Sequence, residues 1–330
     1  MKNQNLIWVV IALALLLGLN ALFTPGFFSI ELRDGRLYGS LIDVLDRATP
    51  VALMALGMTL VIATGGIDLS VGSVMAIAGA VMALLLNSGW SGPGALVAAL
   101  GAGLVAGLVN GSLVAYVGIQ PIVATLILMV SGRGVAQLLT NGQPVPFRND
   151  FIEALGSGSF LLFPICVIVT IAVAALLGAL MRGTALGLYV ESVGNSRKAS
   201  RLSGLPVPGT LLFAYAMCGL CAALAGAVAA ADIRTADSNT AGLYAELDAI
   251  LAVVIGGTAL TGGRFVLLGS LLGALLMQAL TTTILARGIQ MEWTQVVKAS
   301  VILVVCILQS PVMRQRLVAA VRRQKKEAGR

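Results

Sequence analysis

Asp68, Ser70 and Ser73 form a small polar group in a stretch that is otherwise apolar, Gly65-Gly66-Ile67-Asp68-Leu69-Ser70-Val71-Gly72-Ser73. A carboxylate with hydroxyls two and five residues on, behind two glycines that leave backbone groups free, can hold a polar solute. It can also cap the helix that follows. A second acidic pair, Glu246 and Asp248, stands in Tyr244-Ala245-Glu246-Leu247-Asp248-Ala249-Ile250. Their spacing puts them on different faces of a helix, so they cannot act on one bond as general acid and base. They suit the mouth of a polar route, or a first helical turn where acids complement the dipole. The chain has no histidine, the commonest acid–base group near neutral pH and the commonest metal ligand. Cys166, Cys218, Cys221 and Cys306 all lie in apolar stretches, and the CxxC spacing of Cys218 and Cys221 reads as two small packing residues. No nucleophile–base pair stands out, so the expected chemistry is passage of a solute, with no catalysis and no metal.

The elements that must position these groups are membrane helices. From Leu69 to Gly132 the chain runs 64 residues without Asp, Glu, Lys or Arg. At ~1.5 Å per residue that run could reach ~96 Å, about three crossings of a ~30 Å hydrocarbon core. Hydrophobic residues make up 58% of the chain and charged residues 11%, outside the range of soluble domains. The expected fold is an all-α membrane protein, a polytopic bundle of about ten transmembrane helices forming a single domain over 1–330. Spans are expected near 6–23, 49–64, 70–87, 94–118, 121–139, 164–181, 209–231, 246–260, 265–286 and 293–310, with a separate short amphipathic helix around Leu41 to Leu45. The second, eighth and tenth spans are short, and the glycine pairs Gly65-Gly66 and Gly256-Gly257 mark broken helices, which survive at membrane depth only where protein or water covers them. Four basic residues against one acid lie between Arg182 and Arg201, and seven against one follow Pro311. This asymmetry places the 182–208 loop, the 312–330 tail and both termini in the cytoplasm. The excess of positive charge is thus a topology and headgroup signal, and no nucleic-acid partner is implied.

A weak internal repeat is present: Gly65-Gly66 with Gly72-Ser73 recurs as Gly262-Gly263 with Gly269-Ser270, at a constant offset of 197. Duplicated transporters place the substrate route between such halves. Gly103, Gly107 and Gly111 recur every four residues, as do Gly269 and Gly273, a spacing that lets helices approach closely in lipid. Asn110, Gln120, Arg133 and Lys298 are the remaining polar groups near membrane depth, Arg133 and Lys298 being expected near an interface with their side chains reaching out to it. In the basic loop, Asn195 or Ser196 can cap a short helix over Arg197-Lys198-Ala199-Ser200-Arg201-Leu202-Ser203, stopped by Gly204 and Pro206. That helix either rests on anionic headgroups or docks a cytoplasmic partner. The phosphate-binding pattern GxxxxGK[ST] is absent, so any nucleotide hydrolysis belongs to another subunit.

Met58 through Ser73, then Ala124-Thr125-Leu126, Glu246 through Ile250 and Val253-Val254-Ile255-Gly256-Gly257, resemble the ribose-type monosaccharide permeases of bacterial ABC importers, over essentially the whole chain. Ala230-Ala231-Asp232-Ile233-Arg234 and Arg133-Gly134-Val135-Ala136-Gln137 draw it toward the galactofuranose-type members. The resemblance implies a ten-span subunit of the bacterial inner membrane that takes a galactofuranose- or ribose-like sugar from a periplasmic binding protein. It implies pairing with a second permease, identical or paralogous, and drive by a cytoplasmic ATP-binding subunit that hydrolyses the ATP. No cofactor is expected on the chain itself. The family's ATPase-contacting loop maps onto Gly194 through Gly204, including Ser196, Arg197, Lys198 and Arg201. Ser196-Arg197 stands where ribose permeases tend to carry Asn-Glu, which bears on which ATPase is accepted. The alternative is an ATP-independent secondary carrier or facilitator for a small polar solute, for which the chain has few midplane titratable groups beyond Asp68.

Overall fold

A computed structural model describes residues 2–23, 27–33, 36–288, 293–300 and 303. Its helices are α1 (Lys2–Phe23), α2 (Ser40–Ala63), α3 (Val71–Asn87), α4 (Gly92–Ser112) with a π-helical extension (Leu113–Val117), α5 (Pro121–Thr140) and α6 (Asp150–Ser157). There follow α7 (Ile165–Gly183), α8 (Leu186–Asn195), α9 (Arg197–Leu202), α10 (Val207–Ile233), α11 (Ala245–Ile255) and α12 (Leu267–Ala286). Six of these, α2, α4 with its extension, α5, α7, α10 and α12, are long and apolar enough to cross a membrane; Leu6–Leu22 of α1 and α3 are shorter apolar helices. The chain is therefore a polytopic helical membrane protein. Most of the expected tenth span, Cys306 and the 312–330 tail lie outside the described residues.

Two expected elements are corrected. The amphipathic segment at Leu41 to Leu45 is no separate helix: it forms the first turns of α2, which continues through Pro50. A proline removes one ladder bond, and α2 carries it in a partly exposed stretch just before the unbroken buried run from Ala52 to Ala63, whose packing holds the helix in place. In the other direction, α11 stops at Ile255, five residues before the expected end of its span, because Gly257 turns the backbone to φ +95°. Eleven residues rise only about 16 Å, roughly half a hydrocarbon core.

Helices α2 and α10 occupy the centre, and α10 packs on α2, α3 and α4. α5 and α7 are covered by protein over less than a quarter of their apolar windows, so the apolar part of their bare faces suits lipid. The close approaches are made where side chains are missing. Gly103 of α4 lies on Gly219 and Ala223 of α10, Gly107 on the backbone of Tyr215 and Ala216, and Gly111 on Leu212. Gly269 and Gly273 of α12 lie in the same way on Gly256 and on Ala252 of α11. Without a hydrophobic driving force between helices in lipid, such backbone contact supplies the packing energy.

Three two-stranded ribbons trim the end where α2 begins: β1 (Glu31–Arg33) with β2 (Arg36–Tyr38), β3 (Val145–Pro146) with β6 (Thr235–Ala236), and β4 (Ser159–Phe160) with β5 (Phe163–Pro164). The β4–β5 turn consists of Leu161 and Leu162, both left-handed at φ +48° and +74°. The amide of Leu37 donates to the Leu162 carbonyl at 3.2 Å, tying two ribbons together.

Candidate functional site

The two breaks meet. After Ala63 the chain leaves α2 through Gly65 at φ +77°, and the Gly65 and Gly66 amides donate back to the carbonyls of Ile62 (2.9 Å) and Val61 (3.1 Å), satisfying the end of the helix. The second break runs from Gly256 to Val266, between α11 and α12, and turns at Gly262 and Gly263 (φ +80° and +85°). The Gly263 amide donates to the Ala63 carbonyl at 2.9 Å. A side chain at Gly262 would crowd the Gly65 backbone at 2.8 Å. The glycine pairs Gly65-Gly66 and Gly262-Gly263 are thus in backbone contact. Gly194, near the end of α8, closes the group: a Cβ there would overlap the Ala63 carbonyl and lie 2.5 Å from the Gly263 nitrogen.

From Gly194 the chain enters the basic hairpin α8–α9. Ser196 caps α9, its hydroxyl accepting from the Ala199 amide at 3.2 Å. α9 ends at Gly204, which sits at φ +78°, and the Leu205 amide returns to the Ser200 carbonyl at 3.0 Å. Lys198, Arg201 and Leu202 are exposed, and Arg197 is half-buried. A cavity of about 550 Å³ lies between this hairpin, Gly65-Gly66, the Pro121 end of α5 and Thr261.

Asp68 does not face that cavity. It is 1% exposed and accepts from the Ser70 amide (2.9 Å) and the Ser70 hydroxyl (2.6 Å). Asn110 of α4 reaches the same group, its Nδ2 donating to Ser70 Oγ at 2.8 Å. Ser73 donates to the Ser70 carbonyl at 2.8 Å and to Leu128 of α5 at 3.2 Å. Asn110 Oδ1 and the Tyr215 hydroxyl, beside Gly66, are buried there without hydrogen-bond partners among the described residues. Asp68, Ser70 and Ser73 therefore come together in a sealed cluster that starts α3 and ties the first break to α4 and α5. The sequence marked Asn110 only as a polar residue inside a glycine stripe; its partner is set by the packing of α4 on the break.

Glu246 and Asp248 lie apart from that cluster, on α11. Glu246 lies against Gly72. Asp248 Oδ2 pairs with Lys298 Nζ at 2.9 Å, the two side chains being 17% and 8% exposed. Lys298 is thus an internal partner rather than a side chain reaching for an interface. Arg133 is corrected in the same sense: its Nη1 donates to the carbonyls of Ser238 (3.1 Å) and Ala241 (2.5 Å). In both cases a charge inside the bundle is held by a partner distant in sequence, which spacing along one helix does not reveal.

Apolar helices broken at glycines that meet beside a basic hairpin suit a membrane transporter subunit. The family model for the branched-chain amino acid transport system / permease component matches residues 40–306, and the chain belongs to that family. The galactofuranose transporter permease protein YtfT of Escherichia coli (strain K12) is 54% identical over 313 residues, covering 95% of this chain and 91% of that one. The fructose import permease protein FruF of Bifidobacterium longum (strain NCC 2705) is 39% identical over 94% of this chain and 88% of its own. The ribose import permease protein RbsC of Escherichia coli (strain K12) is 37% identical over 91% and 92%. No solved structure matches.

Proposed function

We propose that this chain is the permease subunit of an ATP-driven importer of a monosaccharide, galactofuranose-like or ribose-like, in the bacterial inner membrane. The names of its relatives support the substrate class. The observation that carries the mechanism is the backbone junction of Ala63, Gly194 and Gly263, where the basic hairpin touches both helix breaks at once. In this reading ten spans cross the membrane with both termini in the cytoplasm, and the 182–208 loop docks a cytoplasmic ATP-binding subunit through Ser196, Arg197, Lys198 and Arg201. A second permease, identical or paralogous, completes the conduit, and a periplasmic binding protein delivers the sugar. Movement of α9 is passed by Gly194 to the Gly65–Ser73 break and to α11, which carries Glu246 and Asp248, so that the route opens to alternate sides. The sealed Asp68 cluster keeps the first break rigid, so that it moves as one body with α4.

Reconstitution in vesicles with the ATPase and the binding protein tests this. Uptake of the sugar should require ATP, the binding protein and an intact α9. Accumulation by the chain alone, without a nucleotidase, would overturn the reading in favour of a secondary carrier.

A further inference from the structure

The segment Thr235–Tyr244, between α10 and α11, is non-helical beyond the short strand β6 and runs from the end of α5, where Asn239 meets Gly142, into the bundle at Gly242. Depth is read along α3. Asn87, at one end of that helix, donates to the Pro146 carbonyl of β3 at 3.0 Å, whereas Ala236 packs by Gly79 and Gly242 lies on the backbone of Gly72. At ~1.5 Å per residue these contacts fall about 12 Å and about 22 Å below Asn87. Irregular backbone at such depth must be covered by protein or washed by water. Part of it is covered: Ser238 is buried and shares a 2.7 Å hydroxyl contact with Thr140. Asn239 and Thr240 are exposed, and so is Gln137 on α5, whose Nε2 donates to Asn239 Oδ1 at 3.0 Å. Asn239 Nδ2 donates in turn to the Gly142 carbonyl at 2.9 Å. Among the described residues these bonds leave Gln137 Oε1 and one further N–H of each amide unused on exposed side chains. Hydrocarbon offers these groups nothing, so this face meets water or a polar solute. Arg133 clamps the segment by its two carbonyl bonds, and half-buried Glu246 begins the helix below it. A cavity of about 250 Å³ lies behind the same segment, against Asp46, Met75 and Gly226.

We propose that Gln137, Asn239 and Glu246 form the wall of the route that reads the hydroxyl groups of the passing sugar, with Arg133 as the residue that positions it. Amide and carboxylate side chains fit that ligand, because vicinal hydroxyls donate and accept at once. The assignment rests on the sugar-permease reading and adds to it the residues that set selectivity.

Gln137→Cys and Asn239→Cys, each in the full importer in vesicles, test it with a membrane-impermeant thiol reagent and the parent chain as control. Both should label, sugar should slow the labelling several-fold, and labelled importer should lose uptake at least tenfold. Gln137→Ala should narrow the preference for the sugar over its deoxy analogues about tenfold, whereas Arg133→Lys should lower the maximal rate for all of them alike. Unreactive cysteines, or full labelling with uptake and preference unchanged, would overturn the assignment while leaving the permease reading intact. A parent importer that moves no monosaccharide would overturn both.

Discussion

Removing one member of the Asp248–Lys298 pair should weaken the fold far more than removing both. The two charges sit 2.9 Å apart, with 17% and 8% of their side chains exposed, and they fasten the helical residues 293–300 to α11. Asp248→Leu leaves a lysine ammonium without its anion in a bundle that excludes water, and Lys298→Met leaves a carboxylate in the same position. Each single change should lose about 3 to 5 kcal/mol, whereas replacing a whole buried pair by apolar residues of similar volume is about neutral. At ~1.4 kcal/mol per factor of ten, the singles lower the folded population relative to the unfolded by between two and four powers of ten. Unfolding of the detergent-solubilised protein by a graded denaturant, for parent, both singles and the double, gives the coupling as a double-mutant cycle. The double variant should recover most of the loss, leaving a coupling near the sum of the two single losses, about 6 kcal/mol or more. Singles that unfold with the parent, or losses that simply add, would refute the claim that this pair is a buried clamp.

Asp68→Ala should abolish uptake while the subunit still inserts and assembles, and Asp68→Asn, which keeps an oxygen for the Ser70 amide and hydroxyl, should retain assembly. Uptake at parental rate by Asp68→Ala would remove Asp68 from the mechanism. Arg197→Glu combined with Arg201→Glu should leave ATPase activity running without transport; unchanged coupling in vesicles would mean that α9 merely rests on headgroups. Leu161→Asn with Leu162→Gly supplies the residues a left-handed two-residue hairpin turn favours, and should raise stability by about 1 to 2 kcal/mol, measured by the same denaturant series. Unchanged stability there would show that the Leu-Leu turn stores no strain.

The membrane class was legible because apolar length alone decides it, and the glycine stripes were legible because close helix contact in lipid needs residues without side chains. The serine cap of α9 and its glycine stop followed from local chemistry within ten residues. The break lengths did not. α2 continues through Pro50 because the run Ala52–Ala63 that follows is buried throughout, and burial of that kind cannot be read from the helix itself. Asn110 reaching Ser70, and Lys298 reaching Asp248, are pairings 40 and 50 residues apart in sequence. The non-helical segment between α10 and α11 gave no compositional sign of its depth, since its polar residues look the same in an ordinary surface loop.

The Ala63 carbonyl has one further consequence. It closes the first break, accepts from the Gly263 amide of the second, and has the hairpin glycine pressed against it. In the proposed transport cycle, a displacement entering by the hairpin would therefore bear on both glycine breaks through one oxygen atom.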